Sequence, residues 1–222
     1  MSLSESDKDH IKIRDMDVVD LMRNYSFTDA ICLLWRGNLP DEVERRLLDA
    51  MLVSSVIHTE QSPSIVAAKT VFQSGSTIEA AVAAGALTMG FAHGGAVRNF
   101  AKILQTKIKF DYDVTTIAKQ LVIDYSTKGQ RIPGYGHILH RRDPRTVCLL
   151  QLAKEYGKYG KYCELAETIQ YELERKTGKV VPLNITGAMA AVLSELGFDW
   201  KIGTAFFLLS RTVGVVAAVQ EE

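Results

Sequence analysis

The segment from Ile202 to Val219 is apolar nearly throughout, with Arg211 at its centre. A helix that is apolar all round must be enclosed, either by lipid or by other helices. As a membrane span the segment is barely long enough, and it would hold a guanidinium at mid-bilayer at a cost of roughly 3 kcal/mol or more. The expected arrangement is therefore a buried helix of a soluble protein. Burying Arg211 is costly unless an anion meets it, which makes this residue a candidate ligand contact.

The rest of the chain supplies helices to do the enclosing. Apolar residues recur at helical spacing over Asp17–Met22, Tyr25–Trp35 and Glu42–Ile57, with Ser26 as an N-cap, Asp29 in the first turn and Gly37 as a stop. Pro40 opens the third of these, and Ser62 or Ser64 is placed to cap a helix after Pro63 that runs through Ile65–Phe72. Thr77–Met89 is rich in alanine and glycine, which lets another helix pack at close range, as in a core or at a subunit seam. Further helices are expected over Asn99–Ile108, Tyr112–Ser126, Val147–Tyr156, Cys163–Arg175 and Ala188–Leu196. No stretch alternates as a strand does and no repeat or linker stands out, so the expected fold class is all-α. The polar opening, residues 1–6, is left outside this argument.

With 222 residues, 47% of them hydrophobic and 23% charged, the chain has enough material for one domain or two closely joined lobes. Lys plus Arg equals Asp plus Glu at 26 each, so no net field draws in nucleic acid or an anionic membrane, and any anion site must be local. Cys32, Cys148 and Cys163 are far apart in apolar surroundings, which argues for reduced, buried thiols in a cytosol rather than disulfides or zinc. Nothing resembles a secretion signal, and the expected location is cytoplasmic.

Three histidines sit at breaks between helices. Between Arg131 and Arg145, Pro133, Gly134 and Gly136 forbid regular helix and let the backbone approach a ligand, with His137 at the end of the turn. Arg131, Arg141, Arg142, Arg145 and His140 surround it; this is a site for carboxylates or phosphates, or else a solvated basic loop. His93 is framed by Gly90, Gly94 and Gly95, which leave room beside the imidazole for a substrate. His58 ends a helix, where a histidine is ordinarily a favourable cation for the dipole, and His140 is read in the same way, as a group that solvates a helix end.

Taken in order, several motifs resemble the citrate synthase superfamily, and within it the short members similar to citryl-CoA lyase and the lyase module of ATP-citrate lyase. They are Asp20-Leu21, Ser26-Phe27, Leu33-Leu34-Trp35 with Gly37-Asn-Leu-Pro40, His93-Gly-Gly-Ala96, Pro133-Gly-Tyr-Gly-His137, Asp143-Pro-Arg145, Asn184-Ile-Thr186-Gly187 and Ser210-Arg-Thr-Val-Gly214. The resemblance implies a single helical unit over 1–222, with a large lobe from about 10–95 and 187–222 and a small lobe from about 96–186. It implies a homodimer or higher homo-oligomer that binds a coenzyme A thioester and small carboxylates and uses no metal, nucleic acid or membrane.

By the same resemblance, His93 faces the thioester oxygen, His137 the oxo-acid carbonyl or citrate hydroxyl, and His58 the substrate, while Arg145 and Arg211 clamp carboxylates. Arg141 or Arg142 falls at a coenzyme A phosphate contact, and Gly134 and Gly136 shape the turn beneath the cofactor. The chain departs from the family pattern at Thr186, where a catalytic aspartate is usual; a hydroxyl is far too weak a base to replace it. The loop from His137 to Asp143 is one residue shorter than the common pattern. The stretch after Arg211 lacks the further arginine that full-length synthases send into a neighbour's site, and Ala218 stands where a histidine is common. Two functions are expected from these features: carbon–carbon bond chemistry on a coenzyme A thioester, or a catalytically silent homologue that keeps the binding site as a sensor or partner subunit.

Overall fold

The structure is a computed structural model, and it describes residues 2–91, 93–108 and 113–222. Tyr112, expected to open a helix, and Ala92, beside His93, lie outside the described residues. The chain divides into two compact units, residues 1–50 and 51–222.

The first unit contains the only β-sheet among the described residues. Strands β1 (Ser4–Ser6), β2 (Ile11–Ile13) and β3 (Met16–Asp17) form an antiparallel sheet in the order β1-β2-β3. The expectation of no strand is corrected here: the strands have three, three and two residues, too few for alternation to be seen in the sequence. Arg14 makes the tight turn between β2 and β3 at φ 52° and donates to the Leu34 carbonyl. Helix α1 (Val18–Asn24) follows, and α2 (Phe27–Arg36) starts from a capping box in which Ser26 and Asp29 satisfy each other's backbone. Gly37, in the left-handed region, ends it.

Helix α3 (Glu42–Ser55) runs from the first unit into the second. The second unit is helical: α4 (Pro63–Gln73), α5 (Ile78–Leu87), α6 (Ala96–Lys107), α7 (Val114–Thr127), α8 (Pro144–Glu155), α9 (Lys161–Thr177), α10 (Ile185–Glu195), a 3-10 turn over Trp200–Ile202, and α11 (Gly203–Gln220). Ser62 is the N-cap of α4 as expected, but its hydroxyl donates to the Thr59 carbonyl instead of accepting from the helix.

Helix α11 packs against α4, α5 and α6, and half of the apolar stretch 200–220 is buried by them, as expected of a core helix. Ile65, Ala68, Ala81, Val215, Ala218 and Val219 form one cluster there. The small residues of α5 serve this contact: a Cβ on Gly85 would stand 2.7 Å from the Ser64 carbonyl oxygen and 3.0 Å from Val215. Close approach here also brings α5 against the Ser64 backbone.

Two of the expected cysteine environments hold and one is corrected. Cys32 and Cys163 are buried, whereas Cys148 is exposed, because the face of α8 that carries it turns away from the buried Leu149 and Leu150.

Candidate active site

His58, His93, His137, Arg145, Thr186 and Arg211, which come from five separate stretches of sequence, line one cavity of about 640 Å³ in the second unit. Each of these side chains except that of His58 is held by a hydrogen bond of its own.

The 131–145 loop and the start of α10 are fastened to each other. Gly134 and Gly136 adopt φ 87° and 89°, and a Cβ on Gly134 would lie 2.7 Å from the Gly187 Cα, so only glycine allows this contact. Asn184 N–H donates to the Gly134 carbonyl at 2.9 Å, Asn184 Nδ2 to the Gly136 carbonyl at 2.9 Å, and Gly136 N–H to the Pro182 carbonyl at 2.8 Å. Asn184 is also the N-cap of α10; its Oδ1 accepts from the N–H groups of Thr186 and Gly187 and, at 2.6 Å, from the Thr186 hydroxyl. The proton of that hydroxyl is therefore committed.

His137 Nδ1 accepts two backbone N–H bonds, from Leu139 and His140, each at 3.0 Å. This fixes the tautomer: the ring proton is on Nε2, which lies 3.9 Å from Asp143 Oδ2. His140 is corrected from its expected place at a helix end. It sits in the loop, its ring 4.5 Å from that of His137, and the helix that follows is capped by Asp143. Ring nitrogens of His58, His137 and His140 lie within 4.8 Å of one another, a spacing that suits a metal ion. A ligating Nε2 on His137 would need its proton on Nδ1, where two N–H donors already point, so that ring is unsuited to the role.

His93 Nε2 shares a hydrogen bond of 3.0 Å with Ser64 Oγ, and Ser64 is fully buried. The Ser64 hydroxyl has no other hydrogen-bond partner among the described residues; as donor to Nε2 it leaves the His93 ring proton on Nδ1. Phe207 meets the His93 ring edge-on at 5.4 Å between centroids, and a Cβ on Gly94 would collide with it at 2.2 Å.

Arg211 is 3% exposed, and among the described residues no carboxylate pairs with it. Its Nε donates to the Ser55 carbonyl at 2.9 Å, and the guanidinium stands 5.0 Å from the centre of the Phe207 ring. Arg145 lies in the first turn of α8 and is held to the fully buried Asp143 by bonds of 3.0 and 2.8 Å. Asp143 also accepts from Ile185 N–H at 3.2 Å, which ties α8 to the start of α10.

These charges set the protonation of the site. Burial pushes the Asp143 carboxyl up, but the Arg145 guanidinium and the Arg145 and Ile185 amides outweigh it and hold the carboxyl below its ordinary range. Burial lowers His58, with the positive charges near it adding to the effect; it lowers His93, with Arg211; and it lowers His137 despite the opposing pull of Asp143. All three imidazoles are thus held neutral at pH 7 next to two cations, an arrangement that suits binding of carboxylates and polarisation of carbonyls.

The remaining expected residues divide. Arg141 lines an adjoining cleft with Gly136 and His140 on one side and Lys179–Pro182 on the other. Arg142 faces away, into the clefts along α8, so the two arginines do not share a ligand face. Gly134 is buried against α10. Ser64, Asp143 and Asn184 were not among the expected site residues; in the sequence each stands only at the start of a helix.

Residues 40–222 match the family model for the C-terminal domain of citrate synthase. Among solved structures, citryl-CoA lyase from Hydrogenobacter thermophilus is similar with a TM-score of 0.91 and 39% identity, over 98% of this chain and 84% of that one. ATP citrate lyase from Methanosaeta concilii, solved in complex with (3S)-citryl-CoA, shares the fold at a TM-score of 0.84 and 18% identity, over 98% of this chain and 38% of that one. A citrate synthase of Heyndrickxia coagulans is 27% identical over 215 residues, 92% of this chain and 54% of that protein, so the chain spans about half the length of that relative.

Proposed function

The chain belongs to the citrate synthase family, and on that footing we propose that it makes or breaks a carbon–carbon bond in a coenzyme A thioester, in the manner of citryl-CoA lyase. One observation supports this above the others: imidazoles from three separate turns and guanidiniums from two helices share a single cavity. In this reading His93 donates from Nδ1 to the thioester oxygen as it gains enolate charge, and His137 donates from Nε2 to the oxo-acid carbonyl or citrate hydroxyl. Arg145 and Arg211 take the carboxylates, with His58 beside them. Arg141 meets a coenzyme A phosphate over the cleft that Gly136 helps to form; Arg142 and Gly134 act at a distance from the ligand. The two-lobed, cytoplasmic homo-oligomer expected from the resemblance is part of the same proposal.

Thr186 favours a second reading. A proton-transferring carboxylate contributes about 10²–10⁴-fold to rate, and its loss leaves a site that binds better than it reacts. The alternative is a silent coenzyme A and carboxylate binder. Incubation of the purified protein with citryl-CoA, or with acetyl-CoA and oxaloacetate, separates the two. Turnover above a His93→Ala control supports the enzyme; binding of citrate and coenzyme A by calorimetry without turnover, with activity appearing in Thr186→Asp, supports the silent binder. Absence of any binding would count against both.

A further inference from the structure

Among the described residues, the cavity has no aspartate or glutamate in its lining. Any proton carried within it must move on an imidazole or a hydroxyl. The Thr186 hydroxyl is a donor to Asn184, His137 has its Nδ1 lone pair taken by two amides, and His93 has its Nε2 engaged with Ser64. Each of these groups is fixed in one hydrogen-bonding role. His58 differs: among the described residues neither of its ring nitrogens makes a hydrogen bond, its side chain opens to the cavity, and its ring stands 5.3 Å from that of His137 at 74°. It is the imidazole of the three that is free to gain and lose a proton.

We propose that His58 is the proton-transfer group of this site, doing with one imidazole what a carboxylate does in the family pattern. The inference rests on the lyase reading above. In the cleavage direction the hydroxyl proton of the 3-hydroxyacyl thioester passes to a His58 nitrogen as the bond between the carbinol carbon and the α-carbon breaks. The carbinol becomes the oxo-acid carbonyl, and the bonding pair enters the thioester as an enolate whose oxygen faces His93. The imidazolium then returns the same proton to the α-carbon, giving the acyl thioester and the oxo-acid with no proton gained or lost. The hydroxyl oxygen and the α-carbon are both bonded to the carbinol carbon, so one ring reaches both.

The charges around His58 suit this task once substrate is bound. In the free site burial, then Arg145, His137 and Arg211, disfavour the imidazolium and Asp143 favours it, with His140 the remaining titratable neighbour in the cluster. Substrate carboxylates paired with Arg145 and Arg211 offset the two permanent cations and so remove that part of the opposition to the imidazolium.

The test is citryl-CoA cleavage by wild type, His58→Gln, Thr186→Asp and the double variant, with calorimetric binding of citrate and coenzyme A to each. The expected result is a fall in kcat of about 100-fold in His58→Gln with binding kept within a few-fold. Thr186→Asp should then make turnover independent of residue 58, so that the double variant equals Thr186→Asp, and the acidic limb of the wild-type kcat profile should disappear in both. Wild-type cleavage with His58→Gln within about three-fold of it, or a double variant as inactive as His58→Gln, overturns the role of His58 alone. No wild-type cleavage above the His93→Ala control overturns the lyase reading, and the role of His58 with it.

Discussion

Asp143 is the residue on which most of the site leans. Its buried carboxylate orients Arg145, accepts from the first amide of α10 and faces His137 Nε2. Asp143→Asn should cost about 3 kcal/mol in denaturant unfolding at pH 7, since it leaves Arg145 without its counter-charge. A carboxyl depressed below its unfolded value of about 3.9 contributes stability that is present above that pH and lost as pH falls through the folded value. The wild type should therefore lose stability more steeply than Asp143→Asn on acidification below about pH 4. The lowered histidines have the opposite charge but the same direction: the unfolded chain takes up protons first, so their contribution is full above about pH 6.5 and fades as pH falls. Burial is the larger cause of their depression, and an anionic ligand offsets the smaller part that comes from Arg145 and Arg211. Citrate binding should be accompanied by proton uptake between about pH 5 and 7, seen as a buffer-dependent heat in calorimetry; equal heats in buffers of different ionisation enthalpy would contradict this. His93, His137 and Arg211 could be read from glycine framing and buried charge, His58 and Arg145 through the resemblance, and Ser64 and Asp143 from neither. Ser64 lies 29 positions from His93, and Asp143 in sequence looks only like the cap that it also is.

Among the elements, helix positions followed from periodicity and caps, with ends displaced by a residue or a few, because the last turn on either side is decided by side chains that periodicity does not weigh. Thr186 shows the effect: expected in a turn, it lies in the first turn of α10 because Asn184 caps there. Helix α9 begins at a glycine without a side-chain cap of its own, and the cap comes from the far end of α10. Glu195 Oε1 accepts from the N–H groups of Gly160, Tyr162 and Cys163 at 3.1, 2.7 and 3.0 Å. A carboxylate on these amides also complements the helix dipole. Glu195→Ala should therefore lower stability by about 1–2 kcal/mol, read as a shifted denaturant midpoint with unchanged slope. The same bonds commit Glu195 to α9, as Asp199 is committed to the 3-10 turn that it caps.

For the molecule as a whole, the core helix and the ligand site are one object, since α11 contributes both Val215 and Val219 to the cluster with α4 and α5 and Arg211 to the cavity. A carboxylate ligand at 100 times its Kd should stabilise the fold by about 2.7 kcal/mol, and Arg211→Met should abolish most of that rise in melting temperature. An unchanged ligand-induced rise in that variant would remove Arg211 from the site. All-α architecture was legible because helix-period runs fill the sequence; the separation into units 1–50 and 51–222 was not, since α3 runs through the boundary without a break in pattern. The orientation of α8 has a practical outcome. Burial pushes the Cys32 thiol up to about 11 and raises Cys163 as well, while Cys148 lies open to solvent three positions after Arg145. A maleimide dye should therefore attach to one position in the native chain and to three after denaturation, and the attached fluorophore, carried on the helix that begins beside the Asp143–Arg145 pair, should report an anion arriving at Arg145 as a change in emission.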